Sequence, residues 1–174
     1  EGDVEGAVMS YLGNPYEGEK QDAKRARQYL DETRDYRGAL RLYPRRLYYE
    51  RAMLRHIAKH RGDYVGAIRR LPKNLGRLLV QAYESFLFNR TLSAMIEAGL
   101  DIENLVLPLI GFRTEVDDSP TREIVDTILD REMIIPRDFY IRAIPELSSE
   151  GADRESSVRV NPNFSIEENR EENE

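Results

Sequence analysis

Through roughly its first hundred positions the chain repeats apolar residues at helical spacing, and beyond Gly99 that rhythm breaks into short apolar runs between turn formers. One pattern recurs at Asp3-Val4-Glu5-Gly6-Ala7-Val8, Asp35-Tyr36-Arg37-Gly38-Ala39-Leu40 and Asp63-Tyr64-Val65-Gly66-Ala67-Ile68, with spacings of 32 and 28 residues. In each copy the Asp carboxylate can cap the free amides of a helix start, and the Gly-Ala step is small enough for a neighbouring helix to approach closely. The second and third short helices should stop at Pro44 and Pro72, because proline lacks an amide hydrogen and clashes with the preceding turn. Between the copies, Lys20 to about Thr33 predicts a helix with a thin apolar stripe of Ala23, Ala26 and Leu30. Another, from about Leu47 to His60, turns Leu47, Leu54, Ile57 and Ala58 inward and sets Arg51, Arg55 and Lys59 outward at steps of four.

Asn74 to Ile96 predicts the longest helix, roughly 35 Å at 1.5 Å per residue. Leu75, Leu78, Leu79, Ala82 and Phe86 share one face, and Val80, Leu87, Phe88, Leu92 and Ile96 cover much of the rest. The expectation is a central buried helix closed by Gly99. Leu105 to Ile110 reads as a strand or buried extended segment. Ser119-Pro120 opens a helix to about Glu132, with Asp117, Asp118 and Glu123 on the favourable side of its dipole. Ile134 to Glu146 is irregular, Glu146 to Gly151 is a turn, Val158-Arg159-Val160 suits a strand, and Glu167 to Glu174 is too acidic to pack unaided. The fold class is therefore α+β and predominantly helical, with helical hairpins packed on a long central helix and a small mixed C-terminal part. Its divisions fall at 1–73, 74–99 and 100–174.

Composition narrows the picture. A chain of 174 residues, 40% apolar and 33% charged, can bury one ordinary core without cross-links. Without a cysteine, disulfides, thiol nucleophiles and thiolate metal sites are all excluded. No apolar run approaches the roughly 20 residues that span a bilayer, and the first residues lack a basic region followed by an apolar one. A cytoplasmic protein with no membrane partner is expected.

The net charge of −6 conceals a partition. Residues 1–19 carry −5, residues 20–90 carry +11, and residues 91–174 carry −12. Fields are screened beyond roughly 8 Å at physiological salt, so a local cationic stretch can bind a polyanion whatever the total. Of the 26 basic residues 22 are Arg, and the middle stretch interleaves them with Tyr36, Tyr43, Tyr48, Tyr49 and Tyr64. Forked guanidinium donors suit phosphates and flat rings suit unpaired bases, which favours RNA over an anionic membrane. The candidate RNA-binding residues are Arg45, Arg46, Arg51, Arg55, Lys59, Arg69, Arg70 and Lys73, with Arg154 placed to hold either a phosphate or an acid. The alternative is a non-enzymatic helical-repeat scaffold binding an acidic protein partner, suggested by the recurring Asp-x-x-Gly-Ala.

The chain shows no complete catalytic constellation by residue spacing. His56 and His60 have the four-residue spacing of a zinc helix, but Ile57 stands where a metalloprotease needs Glu, and no third ligand is evident. They are expected to be surface histidines, and no metal is expected. A serine triad lacks its nucleophile elbow, and neither histidine has an evident orienting acid. Asp117 and Asp118 read better as helix-capping acids than as an acid-base pair.

The stretch Gln81-Ala82-Tyr83-Glu84-Ser85-Phe86-Leu87-Phe88-Asn89-Arg90-Thr91-Leu92-Ser93 resembles the signature helix of the TruD family of tRNA pseudouridine synthases, through Ala82, Ser85, Phe88 and Asn89. Ala7 to Leu12, Tyr49 to Leu54, Pro108 to Phe112 and Pro145 to Gly151 are similar to the archaeal branch of that family, in the family's order. The resemblance implies isomerisation of a uridine in tRNA to pseudouridine without metal or organic cofactor, by an Asp nucleophile in a Gly-x-Lys-Asp motif. None of Lys20, Lys24, Lys59 and Lys73 is followed by Asp, so the chain looks like the family's inserted, tRNA-gripping region, partnered by a catalytic half of the same polypeptide. Relatives carry a longer connection between Leu100 and Pro108, so residues are expected to be missing near 104–108. The resemblance further implies that Ser85, Phe88 and Asn89 belong to a helix facing the catalytic core, with Ser85 and Asn89 one turn apart. It also implies that the basic residues above contact the tRNA backbone.

Overall fold

The computed structural model describes residues 3–103, 105–116 and 120–156. Seven helices lead: α1 Val4–Gly13, α2 Gln21–Thr33, α3 Tyr36–Leu42, α4 Tyr48–Lys59, α5 Tyr64–Ile68, α6 Lys73–Glu97 and α7 Pro120–Glu132. β1 Val106–Leu109 pairs antiparallel with β2 Ala152–Glu155, Val106 facing Glu155 and Leu109 facing Ala152. Two 3-10 turns, Pro136–Phe139 and Pro145–Leu147, interrupt the otherwise irregular run after α7.

The recurring Asp caps each short helix as its spacing predicts. Asp3 accepts from the Gly6 amide at 2.7 Å, Asp35 from Arg37 and Gly38 at 3.1 and 3.0 Å, and Asp63 from Gly66 at 2.8 Å. The glycine that follows does more than admit a neighbouring helix, whose Tyr29 hydroxyl at Gly38 and His56 ring at Gly66 do come close. A Cβ at Gly6, Gly38 or Gly66 would collide with the capping carboxylate itself, and at Gly66 also with the His56 ring. The glycine makes room for the cap.

α1 to α5 form a closed bundle rather than an open array, because α1 packs against α5 as well as α2. Their shared core is Val8, Leu12, Ala26, Leu30, Ala39, Tyr43, Met53, Leu54, Ile57 and Ala67. The fold is α+β and predominantly helical, as expected: the hairpins pack on one another and meet the long helix through Leu75, with Gly76, Leu79 and Val80 lining a cavity shared with Val4, Ala7 and Val8. α6 instead packs against α7, β1 and the Pro145–Leu147 turn. Leu87, Ile110, Val125, Ile128, Leu129 and Phe139 make a second core, and Phe88, Met95 and Leu107 a third.

α6 departs from the central buried helix expected from its sequence. Its buried face is Gly76, Glu84, Leu87, Phe88, Thr91 and Met95. Of the face led by Leu75, only Leu75 itself packs on the described bundle core: Leu78 is 57% exposed and Phe86 41%, with Leu79 and Ala82 also exposed, as is Ile96 elsewhere on the helix. The helix carries two apolar faces, and the described residues cover one of them.

β2 was not legible as a strand, since Ala152-Asp153-Arg154-Glu155 has no apolar alternation and every residue is exposed. It is held by its ladder to β1 and by the approach of Gly111 to Gly151, where a Cβ on Gly111 would run into backbone. The Phe112 amide donates to the Ser149 carbonyl at 2.8 Å across the same crossing. Asp117, Asp118, Ser119, the Val158 to Val160 strand and the acidic Glu167 to Glu174 segment lie outside the described residues. No helix among the described residues is long and apolar enough to cross a membrane.

Candidate nucleic-acid interface

α4 positions the centre of the cationic region. Glu50, Met53, Leu54 and Ile57 face the bundle core, so the opposite side of the helix faces solvent. Arg55 and Lys59 lie there exposed, and neither makes an ion pair or hydrogen bond with a described residue. Arg45, ahead of the helix, is exposed and equally unpaired.

Arg51 differs from the outward row predicted for it. Its side chain is half-buried and donates from Nη1 to the Leu40 carbonyl at 2.7 Å and to the Tyr43 carbonyl. These carbonyls close α3, where helical hydrogen bonding ends before Pro44, and a long guanidinium satisfies both. Arg27 does the same for α1, donating to the Tyr11 and Leu12 carbonyls at 2.8 Å each. It also binds Glu19 at 2.9 Å and Glu50 at 3.1 Å, with its side chain only 4% exposed. Nothing in the thin apolar stripe of Ala23, Ala26 and Leu30 marks Arg27 for this role.

Three other candidates are already engaged. Arg46 pairs with Asp22, which is held at about 2 chiefly by that hydrogen bond. Arg69 pairs with Glu146 at 2.9 Å and holds its carboxyl below the ordinary range. Arg70 donates to His56 Nδ1 at 3.2 Å, so His56 Nε2 carries the proton donated to Asp63 at 2.7 Å. His56 is thus no free surface histidine: its side chain is 8% exposed, and Asp63 is the orienting acid that the sequence did not reveal. Among the described residues no three His, Cys, Asp or Glu side chains gather as a metal site. Lys73 opens α6 exposed, close enough to Glu146 to lower its pKa. Arg154, on β2, lies over the Phe88 ring at 5.0 Å.

Among the described residues, the cations of the middle stretch are therefore not neutralised wholesale by acids of the C-terminal region. Arg69 with Glu146 and Arg90 with Glu132 bridge the two, whereas Arg27 and Arg46 pair within the bundle.

On α6, Phe88 is buried, Ser85 is half-buried and Asn89 is exposed. Neither Ser85 nor Asn89 makes a side-chain hydrogen bond with a described residue. Glu84 beside them is 5% exposed, and its Oε1 is buried without a partner among the described residues.

The family model for tRNA pseudouridine synthase D (TruD) matches residues 1–107 and 103–174. The chain belongs to the TruD family. A probable tRNA pseudouridine synthase D from Methanopyrus kandleri is 41% identical over 170 residues, covering 91% of this chain and 42% of that protein. The Methanosarcina acetivorans counterpart is 32% identical over 208 residues, covering 95% of the chain and 47% of the relative. The crystal structure described as TruD from Methanosarcina mazei superposes with a TM-score of 0.83 at 29% identity, covering 88% of this chain and 45% of that one. The chain spans less than half the length of these TruD relatives, which fits the resemblance carried by Ala82, Ser85, Phe88 and Asn89.

Proposed function

We propose that this chain is the tRNA-gripping part of a cytoplasmic enzyme that isomerises a uridine in tRNA to pseudouridine, with the reacting residues supplied by the remainder of a longer polypeptide. The observation that carries the reading is the solvent-facing side of α4, where Arg55 and Lys59, with Arg45 ahead of them, pair with no described residue, inside a family of tRNA-modifying enzymes. Such groups position phosphates and contribute affinity that weakens as salt rises. Arg46, Arg69 and Arg70 reach a phosphate only by exchanging Asp22, Glu146 or His56 for it, a modest cost for Arg46 and Arg69, whose ion pairs are exposed. Arg51 contributes by fixing the end of α3.

The open face of α6 supports the same division of labour. Leu78, Leu79, Phe86 and Ile96 would be covered by the catalytic part, with Ser85 and Asn89 offering it polar atoms that no described residue engages. The two segments of the family match meet at residues 103–107, which supports a longer connection at that point in relatives. The chemistry needs no metal or organic cofactor from this region.

The test is direct. The 174-residue chain should bind tRNA in a filter assay with a steep salt dependence and form no pseudouridine. Turnover by the chain alone overturns the assignment of its nucleophile elsewhere, and failure to bind tRNA overturns the gripping role.

A further inference from the structure

We infer that Tyr48 and Tyr49, at the start of α4, form a stacking site for an unpaired nucleotide of the RNA lying along Arg55 and Lys59. The inference rests on the RNA reading above and assigns to two residues a contact that charge does not specify.

The structure sorts the five tyrosines named above, Tyr36, Tyr43, Tyr48, Tyr49 and Tyr64. Tyr43 is buried and donates its hydroxyl to the Leu12 carbonyl. Tyr36 and Tyr64 meet edge to face at 6.5 Å, with their hydroxyls 3.3 Å apart, and both pack against the bundle core. Their rings are used in the fold. Tyr48 is 70% exposed and Tyr49 is 39% exposed. These two rings meet edge to face at 5.7 Å and 77°. In that arrangement the edge of one ring props the face of the other, which steadies the pair and leaves aromatic surface open to solvent.

Tyr48, Ala52, Arg55 and Lys59 fall at steps of four, three and four, so they share one side of α4. Tyr48 stands about 10 Å along the axis from Arg55, and the small Ala52 between them raises no barrier. Arg45 precedes Tyr48 by three residues, in the turn before α4. The acid on α4, Glu50, is turned inward onto Arg27. An open ring pair near cations that no described residue pairs fits a base flanked by its phosphates better than an apolar or acidic protein side chain. Duplex bases hide their faces, so the site reads a splayed nucleotide, whereas Arg55 and Lys59 hold backbone of any form.

The experiment compares the 174-residue chain with its Tyr48→Ala, Tyr48→Leu, Tyr48→Phe and Arg55→Ala variants. Binding is read by fluorescence anisotropy against a labelled single-stranded RNA of about a dozen nucleotides and a fully paired RNA of the same length. Tyr48→Ala and Tyr48→Leu should each weaken the single strand about tenfold and the duplex less than twofold, as for loss of one stacked base. Tyr48→Phe should match the parent, and Arg55→Ala should weaken both RNAs. Circular dichroism confirms that each variant folds, which this exposed first-turn position permits. If Tyr48→Ala weakens both RNAs alike, or neither, the stacking site is wrong and the RNA reading stands. If Tyr48→Leu binds as well as the parent, generic apolar contact replaces stacking. If an acidic peptide displaces the single strand and loses affinity on Tyr48→Ala, the partner is a protein. If the parent binds neither RNA, the reading beneath this inference fails with it.

Discussion

The Asp63 carboxylate caps α5 with one oxygen and, with the other, holds the His56 imidazole of α4 at 2.7 Å. A single acid thus ties the start of one short helix to the last turn of the helix before it. The turn at His60 to Gly62 is fixed at both ends as a result.

That arrangement gives the bundle a pH dependence. His56 and the Gly66 amide hold Asp63 below its ordinary 3.8, the Gly38 amide and Tyr29 do the same for Asp35, and Arg46 holds Asp22 at about 2. A depressed folded pKa contributes stability above the unfolded value and loses it as pH falls through the folded one. Melting temperature followed by circular dichroism should therefore hold down to about pH 4 and drop between there and about pH 2. Asp63→Asn should flatten part of that drop; a melting point that climbs on acidification would contradict it.

Gly66→Ala and Gly38→Ala should each destabilise the bundle by about 1 kcal/mol or more, although alanine is the better helix former by a similar amount. The new methyl group displaces the capping carboxylate. Urea unfolding at neutral pH decides the matter, and a gain in midpoint for either variant would show that the cap tolerates the methyl.

Removing the Arg27 guanidinium should cost far more than removing an exposed arginine. Arg27→Met leaves Glu19 and Glu50 buried without a countercharge and uncaps α1, a loss of about 3–5 kcal/mol by comparison with broken buried pairs elsewhere. Arg55→Met should change stability by no more than about 0.5 kcal/mol. The two unfolding curves, measured side by side, would expose an error if they coincide.

Leu78→Ser with Phe86→Ser should leave the melting temperature of the 174-residue chain within about 2 °C, since both side chains already face solvent. In the longer polypeptide the same pair should lower pseudouridine formation several-fold. Full activity there would mean that this side of α6 is not covered by the catalytic part.

What the sequence disclosed follows from which contacts are local. Asp3, Asp35 and Asp63 announce their helices because a cap and its amides lie three residues apart. The packing of α1 on α5 joins segments some 60 residues apart, and nothing in either marks the other as its partner. Arg51 shares its helix side with Arg55 and Lys59, but spacing locates a Cβ, and its long side chain reaches back to the Tyr43 carbonyl. The apolar pattern of α6 shows two faces able to be buried, and which of them this chain covers depends on Ile110, Val125 and Leu107, far downstream. The family likeness was readable because Ala82, Ser85, Phe88 and Asn89 lie on that one helix. The tyrosines could not be sorted in advance, since Tyr36, Tyr64 and Tyr48 differ only in what stands opposite them.

The closing of α5 onto α1 has a consequence for biosynthesis. At about 5–20 residues per second, several seconds separate the emergence of Leu12 from that of Ile68. During that interval the apolar side of the first helix waits without its final neighbour, and the nascent segment depends on holding factors or on the speed of the ribosome. Mutations that slow translation or weaken α5 should therefore be felt first as lost yield, before any change in what the finished molecule binds.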